Sequence, residues 1–288
     1  MAQINKPNTH FNTVLYTGNN TSQSVTSVGF QPDWVWLKER NGTEAHNLYD
    51  SNRGIFKRLS SNTTGAEYSS DTQLTSFDSD GFSVGSSDAI NDSGNSMVGW
   101  NWKAGGTAVS NTDGTITSSV SANTTAGFSI VTWTGNATTS QSVGHGLNSV
   151  PKMIIVKNRI DASDWKIYHA SLGTSSQIIL NSSAAASSAG TLWGSTTPTS
   201  NLFYINNDGS VNGSGDGMLA YCFAEKKGFS KFGSYVGNGS SDGSYIHLGF
   251  KPAFLIYKQS SASGESWIMH DNARNLFNVT NKRLLANA

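Results

Sequence analysis

At 288 residues the chain has room for two or three modest domains, and its apolar content of 36% suits compact cores better than one large core. Charged residues make up 13% of the chain, 19 basic against 19 acidic; with no long run of one sign, neither a nucleic-acid groove nor a polybasic membrane-binding stretch is expected. No apolar run approaches the ~20 residues of a membrane span, so membrane insertion is not expected either, and Cys222 stands alone, which excludes an internal disulfide.

Taken in chain order, the elements repeat. Tyr16-Thr17-Gly18-Asn19 leads to Gly29-Phe30-Gln31-Pro32 and then to the apolar run Trp34-Val35-Trp36-Leu37-Lys38. Trp133-Thr134-Gly135-Asn136 leads to Gly146-Leu147 and to Pro151-Lys152-Met153-Ile154-Ile155-Val156-Lys157, and Tyr235-Val236-Gly237-Asn238 to Gly249-Phe250-Lys251-Pro252 and Phe254-Leu255-Ile256-Tyr257-Lys258. From Gly-Asn to the terminal Lys the spacing is about 20 to 22 residues each time, which is the signature of an internal repeat. Downstream, Leu48-Tyr49-Asp50, Trp165-Lys166-Ile167-Tyr168-His169 and Trp267-Ile268-Met269-His270 occupy matching places. Met97-Val98-Gly99-Trp100-Asn101-Trp102 likewise answers Met218-Leu219-Ala220-Tyr221-Cys222-Phe223.

The elements read as strands. Phe128–Trp133 alternates with period two and is rich in β-branched residues, and the strand after each Pro is apolar at nearly every position, as in the middle of a sandwich. Gly18-Asn19, Asp80-Gly81, Asp113-Gly114, Asp208-Gly209 and Asn238-Gly239 are read as turns that need a positive φ. A Ser/Thr stretch around 107–125 is read as a joint between units, and helix is limited to a turn near 272–277. Short strands with almost no helix predict an all-β fold of tandem β-sandwich, or jelly-roll, repeats: unit one over 1–110, unit two over 111–228 and an incomplete unit three over 229–288.

The six histidines show no paired metal-ligand spacing. His145 pairs with His247, and His169 with His270, at comparable places in the repeat; repeated structural hydrogen bonds are the expected reason. Asp78-Ser79-Asp80-Gly81 and Asn206-Asn207-Asp208-Gly209 lack the trailing Glu of a calcium loop, and Gly213-Ser214-Gly215-Asp216-Gly217 opens onto a strand rather than onto a helix that would cradle phosphate. No metal or cofactor is expected. Glu39, Glu44, Glu67, Glu225 and Glu265 form no repeated pair suited to glycoside hydrolysis, and no nucleophile elbow is present, so no catalytic residue is assigned. Trp34, Trp36, Trp100, Trp102, Trp133, Trp165 and Trp267 sit at strand-like, repeat-matched positions and are expected in the core. Trp193 and Tyr68, in less regular Ser/Thr/Gly-rich surroundings, are the candidates for exposed ligand contacts.

The block Phe11–Asn19, followed by Val28–Lys38, resembles a protein family common in marine tailed phages, as do Leu74–Phe82 and Val98–Trp102. The resemblance covers units one and two and part of unit three. It implies a concanavalin-like β-sandwich in a virion protein, often labelled tail fibre. The expected partners are other virion proteins, further copies of the chain in a homotrimer, and a host-surface glycan. The start of the chain lacks a signal-like apolar stretch, which agrees with assembly in the cytoplasm of a bacterial host and release in the virion. The alternative roles are a capsid decoration or tail connector, and, third, a carbohydrate-degrading enzyme. Units one and two each need about 80 residues from Gly-Asn to the closing strand, and unit three has no such strand before Ala288. Either the polypeptide continues, which we favour, or another chain donates strands; a mass of 30.6 kDa for the native protein would leave donation.

Overall fold

In the computed structural model, which describes residues 4–288, unit one runs through β1 (Phe11–Thr17), β2 (Gln23–Val25), β3 (Trp34–Glu39), β4 (Asn47–Asp50), β5 (Lys57–Arg58), β6 (Tyr68–Ser69), β7 (Leu74–Asp78), β8 (Gly81–Val84), α1 (Asp88–Asn91) and β9 (Ser96–Trp102). Unit two contains β10 (Val109–Asn111), β11 (Ser118–Asn123), β12 (Phe128–Thr134), β13 (Gln141–Gly144), β14 (Pro151–Asn158), β15 (Lys166–His169), β16 (Ser176–Ile179), β17 (Ser187–Ser188), β18 (Leu202–Ile205), α2 (Gly209–Asn212) and β19 (Gly217–Ala224). Unit three contributes β20 (Phe254–Tyr257), β21 (Ile268–Asp271) and β22 (Leu284–Leu285). Strand makes up 36% and helix 4% of the chain, all in antiparallel sheets, so the fold is an all-β sandwich.

Units one and two share strand order and register. The inner sheet of unit one has the order β1-β9-β3-β4, and unit two repeats it as β12-β19-β14-β15. Tyr16 faces Met97 as Trp133 faces Met218, and Lys38 faces Val98 as Lys157 faces Leu219. The outer layers are β2-β8-β7 in unit one and β13-β18 in unit two. Alternation along the middle strand feeds two cores at once. Trp34 and Trp36 point to one core, Val35 and Leu37 to another. In β14, Met153 and Ile155 join the same first core, whereas Ile154 and Val156 build a core private to unit two. The continuous apolar runs are therefore strands covered on both faces, as expected.

The first core belongs to all three units. Trp34 and Trp100 of unit one, Tyr221 and Trp165 of unit two, and Trp267 and Met269 of unit three line it together. The sandwiches are thus not beads on a string but three blades on one hub. The stretch around 107–125 is not a mere joint: β10 and β11 extend the inner sheet of unit two beyond β12. Serine on a strand is compatible with pairing because the ladder uses only backbone groups, and Ser118 and Ser121 are buried.

The glycines of the repeat also differ from expectation. Gly81 and Gly239 have positive φ, but Gly18, Gly114 and Gly209 do not. At Gly18 a Cβ would overlap the Asp92 carbonyl, and at Gly135 the Gly213 carbonyl, so the motif needs close approach rather than a special φ. The Asn that follows explains the rest. Asn91 Oδ1 accepts from Asn19 N–H at 3.0 Å, and Asn212 Oδ1 accepts from Asn136 N–H at 2.9 Å. Both bridging Asn residues end the four-residue helices α1 and α2, which the sequence reading did not anticipate. Asp208-Gly209 is not a hairpin step: Asp208 caps α2 by accepting from Ser210 N–H at 2.8 Å.

Candidate functional site

Where the three blades meet, equivalent residues make equivalent bonds around a closed cycle. An Asn side chain accepts the backbone N–H of one ring-bearing residue in each unit: Asn62 from His46 at 3.0 Å, Asn181 from Trp165 at 2.8 Å and Asn287 from Trp267 at 2.7 Å. The ring then reaches the neighbouring unit, to the carbonyl two residues before that unit's Asn. Trp165 Nε1 donates to Ser60 O and Trp267 Nε1 to Ile179 O, each at 2.8 Å, and His46 Nε2 closes the cycle on Leu285 O at 2.8 Å. The repeated Lys of units two and three also reaches the neighbouring unit, to the carbonyl two residues after the same Asn: Lys157 Nζ donates to Thr64 O at 3.1 Å, and Lys258 Nζ to Ser183 O at 3.2 Å. Three equivalent contacts that return to their start define a rotational pseudo-symmetry of order three.

His46 stands where the other units have Trp. Trp36 Nε1–H donates to His46 Nδ1 at 2.8 Å, which puts the imidazole proton on Nε2, facing Leu285 O. Burial pushes this imidazole from its ordinary 6.5 down to about 3. The unfolded chain takes up a proton near pH 6.5 that the folded chain refuses until about pH 3, so stability from this group is complete above 6.5 and is lost as pH falls through that window. Urea titrations from pH 7 to pH 4 are expected to show falling stability, by up to ~1.4 kcal/mol per pH unit for a single such group. His46→Phe should lower stability at pH 7 yet flatten that slope. An unchanged slope would refute the neutral assignment.

A second cycle carries charge. Asp50 Oδ2 lies 2.5 Å from Arg53 Nε, and Arg53 also donates to Leu48 O at 3.0 Å. Asp271 and Arg274 repeat this pair at 2.6 Å, with Met269 O as the carbonyl partner at 3.2 Å. Each acid is met by an aromatic donor from the closing strand of the next unit: Tyr221 Oη donates to Asp50 at 2.8 Å, and Trp100 Nε1 to Asp271 at 3.0 Å. Unit two breaks the pattern, since His169 and Leu172 occupy the places of the acid and the arginine. Its place in the cycle follows from register, because His169 faces Met153 as Asp271 faces Phe254. His270 is therefore not the counterpart of His169 but lies one residue away, on the opposite face of its strand. His145 and His247 also part company: His145 is buried and accepts from Leu147 N–H at 3.2 Å, whereas His247 is exposed.

The charge chain of unit one continues to the surface. Glu67 accepts from Arg53 Nη1 at 3.1 Å and is clamped by Arg159 of unit two through two bonds of 2.9 Å. Burial alone would raise the Glu67 carboxyl, but the bonds and charge of Arg159 and Arg53 hold it below the usual range. Burial likewise opposes the Arg53 charge and is outweighed, chiefly by Asp50, so its pKa is raised. The Tyr221 phenol is pushed up by burial and by the Asp50 charge.

Arg159 surfaces beside a groove of about 380 Å³ on unit two. Ser110, Ser119 and Thr132 stand in line across β10, β11 and β12, and Thr117 and Thr134 fall on the same face two residues along. This hydroxyl-lined face is open and shallow, with Arg159 at its side. Neither earlier candidate lies there. Trp193 is only 2% exposed, not a surface ring: it packs into the core of unit two and donates to Ser176 O at 3.3 Å. Leu192 O accepts from Asn206 N–H, so this apolar pair closes the flank of β18 where unit one has β7, and a polar neighbourhood in sequence concealed it. Tyr68 is 54% exposed and lies under the Arg58 guanidinium at 5.2 Å.

Asp78 and Asp80 are engaged within the chain, Asp78 by the Ser76 and Ser83 hydroxyls at 2.7 Å and Asp80 by Gly29 N–H at 2.6 Å. Among the described residues no three His, Cys, Asp or Glu side chains gather as a metal site, and no helix is long and apolar enough to cross a membrane.

No curated protein and no solved structure matches the chain at a significant level. One family model does match, over residues 6–288, and its description is a domain of unknown function, DUF7483. With nearly every residue covered, the chain belongs to the DUF7483 family.

Proposed function

We propose that the chain is a non-catalytic surface component of a tailed-phage particle, a fibre, spike or other attachment element, which touches host-surface glycan through the hydroxyl face of unit two. The observation that carries the attachment reading is the line of Ser110, Ser119 and Thr132 beside Arg159. Hydroxyls match the donors and acceptors of a sugar, but each bond replaces one with water and contributes only about 1 kcal/mol net. Such a face binds weakly as a single site, and many copies on one particle would supply avidity. The non-catalytic reading draws on the buried carboxylates. Asp50 and Asp271 are each held by an arginine and an aromatic donor, Glu67 by two arginines, and none faces a groove as a free acid or base. The resemblance to marine phage proteins supplies the particle context and the expected neighbours, other virion proteins and further copies of the chain.

Antiserum against the chain is expected to decorate intact particles and to block their adsorption to host cells. Decoration without loss of adsorption would overturn the attachment role. It would favour the second reading, a capsid decoration or tail connector, to which a hub shared by three blades is equally suited. Failure to decorate particles at all would remove both.

A further inference from the structure

We propose that the hydroxyl face of unit two takes an acidic sugar, a hexuronate whose carboxylate meets Nη1 of Arg159. The inference rests on the glycan reading of that face and adds the charge of the ligand. The repeat supplies the background against which the face stands out. Thr132 pairs with Leu219 as Leu15 pairs with Val98, and Thr134 with Gly217 as Thr17 with Ser96. Arg159 N–H donates to Gly217 O at 2.9 Å, as Arg40 N–H donates to Ser96 O at 2.8 Å. Unit one therefore has Leu15 and Ser96 where unit two has Thr132 and Gly217. In unit three Ser260 holds the place of Arg159, since its carbonyl accepts Ala186 N–H at 2.9 Å as Arg159 O accepts Glu67 N–H at 2.8 Å. Of the three, unit two alone combines threonine and arginine at these places. The sandwich does not need the combination, because unit one builds the same four-stranded order without it.

The arginine is held in position. Its Nε and Nη2 each donate to Glu67 at 2.9 Å, which fixes the guanidinium plane. Nη1 has no hydrogen-bond partner among the described residues. It stands 3.4 Å from where a Cβ on residue 217 would lie, so glycine there leaves this nitrogen uncovered beside the groove.

No acid lines the groove. Glu67 is engaged by Arg53 and Arg159, and Asp216 by Asn158 Nδ2 at 2.8 Å. The Glu67 side chain is 9% exposed against 21% for Arg159, so the charge that solvent meets is positive. Hydroxyls serve any sugar, as donors and acceptors alike. The free N–H edge serves only an acceptor, and an anionic one best. With one edge free and no second cation in the lining, a carboxylate fits better than a sulfate ester, whose oxygens are weaker acceptors.

The test uses the full chain, isotopically labelled, with oligogalacturonate and oligoglucuronate as probes, their methyl esters as neutral counterparts and a sulfated dextran oligomer as a third arm. The acids are expected to shift the amide signals of residues 117–119, 132–134 and 217 together with the Arg159 Nε signal, saturably, and to bind about three- to tenfold more tightly than the esters. Raising the salt to ~0.5 M should shrink that preference, since a partly exposed charge pair is screened. Arg159→Gln should abolish it. Because that change also loosens Glu67, Gly217→Ser is the second variant. Its Cβ would meet Arg159 Nη1 at 3.4 Å and Ile160 Cδ1 at 3.8 Å, ordinary contact distances, and Ser96 already occupies the equivalent place in unit one. It should lower binding of the acid to that of the ester. Thr132→Leu, which copies Leu15, should instead weaken acid and ester alike. Equal binding of acid and ester at these residues overturns the acidic ligand and leaves the glycan reading standing, as does tighter binding of the sulfated oligomer. Shifts at none of these residues with any of the sugars overturn both.

Discussion

Arg53→Met is expected to lower the unfolding free energy by about 3–5 kcal/mol, the usual cost of removing one partner from a buried ionic group. The Arg53 side chain has no solvent exposure and makes five bonds: to Asp50, Glu67, the carbonyls of Leu48 and Lys57, and the Tyr221 hydroxyl. Methionine fills most of the volume but leaves Asp50 buried with only hydroxyl and backbone donors. It also takes one of two arginines from Glu67. If the loss comes from stranded charge, adding Asp50→Asn to Arg53→Met should recover part of it. Denaturant titrations of the single and double variants decide the matter. A loss under 1 kcal/mol in the single variant would mean that water reaches the pair and that its geometry overstates its importance.

Trp34→Ala should cost a similar amount, about 3–5 kcal/mol, for a different reason: a large ring is removed from a packed core and the space does not close. The Trp34 ring stacks on Trp102 of its own unit at 4.2 Å and on Tyr221 of unit two at 4.1 Å, with Phe128 at 5.6 Å. Because the cavity would open between units, both should lose stability together. Calorimetry of the unaltered protein is therefore expected to show one cooperative transition for units one and two, and Trp34→Ala a single transition at lower temperature. Two separate transitions, with only one moved by the substitution, would contradict a shared hub.

Much of this architecture was legible in the residues, and the illegible parts have physical causes. The triple recurrence of Gly-Asn, the apolar strand and its Lys gave away the repeat, because equal spacing imposes equal register. What the motif does was not legible. The Lys of units two and three and the ring-bearing residue act on a neighbouring unit, and a linear pattern does not say which blade adjoins which. Asp50-x-x-Arg53 and Asp271-x-x-Arg274 were visible as a recurrence, but the matching of His169 to His270 by identity shifted the alignment by one residue and hid it. His169 replaces an acid, and only the strand register reveals the replacement. Trp193 was misplaced because burial depends on what crosses over a residue, not on its neighbours along the chain. The hydroxyl face escaped notice because Ser and Thr are abundant everywhere in this chain; only the pairing of β10, β11 and β12 singles out those five.

The closed cycle of contacts also sets how such a protein can change in size. In an open array each added repeat stacks on the last, so copy number drifts freely over evolutionary time. Here each blade turns the chain by a third of a revolution, and His46 already meets Leu285 across the seam. A duplicated blade would find no berth on the hub, because the ring has no gap to admit it. Growth has to occur away from the hub, in the loops and at the free sheet edges of each blade, as the extra β10 and β11 beyond β12 of unit two already illustrate. Variation in this family is accordingly expected at the periphery, around an invariant count of three.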